Sequence, residues 1–144
     1  MSSLLNAYLT ASNVYPDRAK HKELTPALLA NANSLLVKVQ AFFKDLGLNL
    51  ENYKISSGFR PSEVNGALAN AAKKSLHQQC LAIDIMDDKN QGLAKLVQSR
   101  ADLRRKHGIW LEDPSYCKGK YTNWVHLDIS SVRPHQDDME FVPK

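Results

Sequence analysis

The most constraining stretch of this chain is LAIDIM, residues 81–86, an apolar run interrupted only by Asp84. A run of this length, bounded by Asp87-Asp88 and Asn90, predicts a central strand over residues 80–86. An unpaired carboxylate buried in such a strand costs several kcal/mol or takes up a proton, so the fold must bring Asp84 a partner. A buried aspartate can accept backbone N–H groups or pair with an arginine. It can also share a cation with other ligands. His77 lies seven residues upstream, and His126 sits in WVHLDI, a second apolar run. Two imidazoles and one carboxylate on adjacent strands make a three-ligand set that leaves one corner of a tetrahedral zinc ion open, the pattern of catalytic rather than structural sites. Spacing alone leaves both readings standing.

The other elements follow from periodicity and punctuation. Thr25-Pro26 caps a helix in which Leu28, Leu29, Leu35, Leu36, Val39 and Phe42 recur near helical spacing, and Gly47 ends it. The preceding residues predict a short helix plus irregular chain. A strand over residues 53–56 hands Arg60 to a turn and a helix over 62–70. An amphipathic helix covers 91–107 and stops at Gly108. Strands over 109–112 and 124–129 are joined by a polar loop containing Pro114 and Gly119. This order implies an α+β fold in which helices pack on a small, mostly antiparallel sheet.

At 144 residues the chain suits one domain, 1–144, with its core over about 25–130. The net charge of +4 favours polyanionic surroundings without choosing among them. Arg100, Arg104, Arg105 and Lys106 cluster on the second helix, where the expectation is a solvated face, not a nucleic-acid site. Cys80 and Cys117 form no CxxC pair and are expected as reduced thiols. No basic start precedes a long apolar run, and nowhere do about 18 apolar residues run together, so neither a secretory signal nor a membrane span is expected.

Three motifs in order, Ser57-Gly58-Phe59-Arg60, then Ser75-Leu76-His77 with Ala82-Ile83-Asp84, then Trp124-Val125-His126-Leu127-Asp128, resemble the SGYR, SxHxxGxAxD and WxHxD patterns of the zinc D-alanyl-D-alanine carboxypeptidases. These enzymes and the related L-alanyl-D-glutamate peptidases share the fold of the Hedgehog signalling domain. The ends of the chain, with Glu112-Asp113-Pro114 and Phe141-Val142-Pro143, look like the small phage and prophage endolysins of that family. The resemblance implies zinc on His77, Asp84 and His126, with Arg60 binding a substrate carboxylate or carbonyl and Ser75 shaping the pocket. It further implies hydrolysis of a peptide bond next to a D-amino acid in peptidoglycan, by a protein made in the cytoplasm and acting, as a monomer, at the cell wall. Neither nucleic acid nor membrane is an expected partner. Asp128, two residues after His126, is either a hydrogen-bond partner of an imidazole or a solvated strand-end acid.

The chain departs from the family in two places. Asn123 stands three residues before the last histidine, where relatives carry the acid that acts as general base, and an amide accepts no proton at neutral pH. Glu112 is the preferred replacement and Asp113 the second choice, because a hairpin would bring the end of their strand near His126. Cys80 stands where the pattern has glycine, either packed or competing as a ligand. The alternative function is a catalytically weak or inactive zinc-binding module of the same fold, serving as a virion or cell-wall-binding component.

Overall fold

A computed structural model describes residues 3–11, 23–61, 75–130 and 138–143. Thr25 is extended (φ −85°, ψ 165°), its hydroxyl accepts the Leu28 N–H, and Pro26 opens the helix α2, Pro26–Asp45. Ala32, Leu35, Leu36, Val39, Phe42 and Phe43 form its buried stripe. Gly47 adopts φ +79°, and the Gly47 and Leu48 N–H groups donate back to Lys44 O and Phe43 O. That is the Schellman ending a left-handed residue permits. An N-terminal helix α1, Ser3–Leu9, packs on α2 and buries Tyr8, whose hydroxyl donates to Ala82 O at 2.8 Å.

Five strands form one sheet among the described residues: β1 Ile55–Ser57, β2 Ala82–Asp87, β3 Trp110–Glu112, β4 Asn123–Asp128 and β5 Glu140–Phe141, in the order β1-β2-β4-β3-β5. The first three pairings are antiparallel and β3 with β5 is parallel. The α+β architecture agrees with the sequence reading, and β5 is an addition to it. Side chains alternate across each strand, and this alternation divides the work of the sheet. Ile83, Ile85, Val125 and Leu127 join the buried cluster that holds the α2 stripe. Asp84 and His126, at the intervening positions, therefore face the other side.

The helix expected over 91–107 is two helices, α3 Gly92–Ser99 and α4 Ala101–His107, broken at Arg100 (φ −115°, ψ 55°). The cause is Arg104, expected on the solvated face but 1% exposed. Its guanidinium reaches back to Val97 O (3.1 Å) and Gln98 O (3.2 Å), carbonyls that a continuous helix would spend on its own next turn. It also donates to Met139 O (2.9 Å) and Asp138 O, which ties down the segment leading into β5. Arg100 pairs with Asp102 and Lys106 with Asp45, so the four cations do not make one uniform basic face. Asp87 accepts the Leu93 and Ala94 N–H groups and Asp88 accepts that of Gly92, so both acids cap α3. The helix expected over 62–70 lies outside the described residues. No helix among them is long and apolar enough to cross a membrane.

Candidate metal centre

The β2–β4 register sets Asp84 directly opposite His126, and cross-strand partners share a face. The β3–β4 pairing runs Trp110 to Asp128 and Leu111 to Leu127, so the next step places Glu112 beside His126. Ser57 lies opposite Asp84 on one side and Phe141 beside Glu112 on the other. One row across the sheet therefore reads Ser57, Asp84, His126, Glu112, Phe141. The Phe141 ring meets the His126 ring edge-on at 5.8 Å.

His77 reaches this row from a turn just before β2. The Ser75 hydroxyl accepts the His77 backbone N–H at 3.1 Å, and the His77 carbonyl accepts the Arg60 N–H at 3.1 Å. Cys80, which closes the turn, has φ +56°. This is the left-handed region that favours glycine and accounts for the glycine of the related pattern. Its thiol is buried, pushed up to about 12 by that burial, and falls outside the ligand group. Burial of this kind disfavours the thiolate that a nucleophile or a metal ligand requires.

Hydrogen bonds fix the direction of each imidazole. Gly58 O can only accept, so His77 Nδ1 carries the proton of their 2.9 Å bond and Nε2 faces Asp84 Oδ2 at 3.3 Å. Asp128, fully buried, accepts from His126 Nε2 at 3.0 Å, and His126 Nδ1 faces Asp84 Oδ1 at 2.8 Å. Of the two readings open for Asp128, the imidazole partner is the one observed. Two ring nitrogens thus face the two oxygens of one carboxylate, an arrangement that needs a proton or a cation between each pair. Burial alone would push Asp84 up, yet the two histidines hold it well below the usual carboxylate range. Burial opposes charge on His126 as well, but Asp128 and Asp84 raise it to about 10. The donor atoms of His77, Asp84 and His126 lie within 4.8 Å of one another and could hold a metal ion. Two nitrogens and one oxygen, each imidazole braced from behind, suit zinc with an open position.

The Peptidase M15 family model matches residues 10–128. The chain belongs to the Peptidase M15 family. M15 peptidases are zinc-dependent metallopeptidases, and the His-Asp-His group of this M15 peptidase supplies a place for that metal. No curated protein and no solved structure matches the chain at a significant level.

The remaining candidates are arranged around the centre. Arg60 follows β1, and its Nη2 donates to Ser57 Oγ at 3.2 Å. Burial lowers its pKa, partly offset by the negative charge of Asp84. Glu112 is partly buried at the end of β3, where its Oε2 accepts the Cys117 thiol at 3.0 Å. The Asp113 carboxylate accepts the Ser115 N–H and hydroxyl and so caps the turn Pro114–Tyr116. Asn123 pairs with Asp87, three positions along from His126, and its amide donates to Asp88 O and Lys89 O. It stands apart from the centre. Three contacts escaped sequence reasoning: the Gly58 carbonyl, Cys117 and Phe141. The first is implicit in the SGFR motif, Phe141 belongs to the Phe141-Val142-Pro143 ending without any hint of its contact, and Cys117 carries no local signal.

Proposed function

We propose that this M15 peptidase hydrolyses a peptide bond next to a D-amino acid in peptidoglycan stem peptides, in an endolysin-like role, with zinc held by His77, Asp84 and His126. Bound zinc supplies Lewis acidity, acidifying water and polarising a carbonyl oxygen. The chain's own groups do the rest. Gly58 O and Asp128 fix the imidazole orientations. Glu112 takes a proton from the attacking water and returns it to the leaving amine, while the capping bonds of Asp113 keep that acid out of the role. Arg60 binds a substrate carboxylate or carbonyl through its two-pronged guanidinium. Ser75 shapes the pocket by holding the turn that carries His77.

The observation that supports this reading is the row Asp84, His126, Glu112, in which continuing the β3–β4 register sets a carboxylate next to His126 where Asn123 offers none. Digestion of purified peptidoglycan followed by mass spectrometry tests it. The parent protein should release fragments cut beside a D-residue, and Glu112→Gln should be slower by roughly 10²- to 10⁴-fold. Zinc retained with no cleavage by either protein would instead establish the inactive wall-binding or virion module.

A further inference from the structure

Beside the site, Cys117 has no task in the reaction just described. Its side chain is fully buried and its thiol donates to Glu112 Oε2 at 3.0 Å. The main chain around it is fixed on both sides. The Cys117 N–H donates to Pro114 O at 3.0 Å, its carbonyl accepts the Trp124 N–H at 3.1 Å, and Lys118 bridges Asn123. The main chain that carries the sulfur is thus anchored to β4, the strand that holds His126, and the thiol proton points at the end of β3.

Glu112 closes a three-residue strand, and a glutamate has three rotatable side-chain bonds. Without a partner its carboxylate would sample several directions, and freezing it during the reaction would cost rate. A lysine or arginine could select one direction, but its charge would favour the ionised carboxylate and weaken it as a base. A thiol is an uncharged, weak donor that is cheap to bury. It can direct one oxygen and leave Oε1 to take the proton.

We propose that Cys117 is a positioning residue whose thiol holds Glu112 with Oε1 turned toward the reacting water. The inference rests on the reading of Glu112 as the base. The experiment uses the full, zinc-loaded chain with solubilised muropeptides as the probe, comparing the parent, Cys117→Val, Cys117→Ser, Glu112→Gln and the Val/Gln double variant. Cys117→Val should lower kcat roughly 10-fold, the size expected for losing one hydrogen bond to a charged group, with KM and zinc content unchanged. Cys117→Ser keeps a donor and should recover most of that loss. In the Glu112→Gln background Cys117→Val should have no further effect. A second readout needs no turnover: the Cys117 S–H infrared band, identified by its loss in Cys117→Ser, should lie lower in the parent than in Glu112→Gln. If Glu112→Gln turns over like the parent, both readings fall. If Glu112→Gln is inactive while Cys117→Val keeps the parental kcat, or the S–H band is the same in parent and Glu112→Gln, only this inference is overturned.

Discussion

Gly58 links the packing of the fold to the geometry of the metal centre, and Gly58→Ala should disturb both. A Cβ on residue 58 would lie 2.0 Å from Tyr8 O and 2.8 Å from Tyr8 C, atoms of backbone rather than the far end of a side chain. Relief requires a movement of more than an ångström. Tyr8 resists because it is fully buried and its hydroxyl is bonded to Ala82 O. The segment after β1 resists because Phe59 is fully buried and the Arg60 N–H is bonded to His77 O. Overpacking of this kind costs about 1–3 kcal/mol, and loss of one neighbouring hydrogen bond adds about 1 kcal/mol. At ~3 °C per kcal/mol for a chain of this size, Tm should fall by roughly 6–12 °C. The same movement pulls Gly58 O away from His77 Nδ1, their 2.9 Å bond being what aims Nε2. Zinc affinity should weaken by roughly 10-fold, as when other groups that brace a ligand are lost. Thermal unfolding followed by circular dichroism and competitive zinc titration read the two effects. A Tm within about 2 °C of the parent, together with unchanged affinity, would refute the reasoning.

Two further substitutions probe the remaining supports. Arg104→Met fills similar volume but takes the guanidinium from four carbonyls, of which Val97 O and Met139 O keep the Arg100 and Leu111 N–H groups while Gln98 O and Asp138 O lose their donor; unfolding should be easier by about 2–4 kcal/mol, measured by urea denaturation, and a loss under about 1 kcal/mol would mean the guanidinium does not hold β5. Asp128→Asn keeps the shape but removes the negative acceptor behind His126 Nε2; zinc affinity should drop about 10-fold, and the metal-free protein should lose Tm at neutral pH because the buried Asp128 charge supports protonated His126; equal affinity would show that the aspartate does not brace the ring.

The parts of this protein that could be read from sequence are those whose cause is local. Thr25, Pro26 and Gly47 mark both ends of α2 because capping is decided within four residues. Asp84 betrayed itself because a charge inside an apolar strand demands compensation, and His77 and His126 were close enough in pattern to supply it. What could not be read depends on side chains that reach across the fold. Periodicity over 91–107 is helical throughout, and only the guanidinium of Arg104, bending back onto Val97 and Gln98, explains the break at Arg100. The same side chain secures Met139 and thereby the two-residue strand β5, which is too short to leave a pattern. Glu112 could be preferred as the base from the hairpin, but its alignment with His126 is a matter of register, which sequence does not fix here. The role of Cys80 was hidden in its backbone: φ +56° is a conformational demand, invisible in a thiol's chemistry.

The measurement that bears most directly on the central claim is the zinc content of the purified chain, by mass spectrometry of the metal alongside protein concentration. The arrangement of His77, Asp84 and His126 calls for about one zinc per chain in the parent, little or none in His77→Ala or His126→Ala, and a lower Tm after chelation. A parent without stoichiometric zinc after incubation with the metal, or a His77→Ala/His126→Ala double variant that still binds it, would contradict the account.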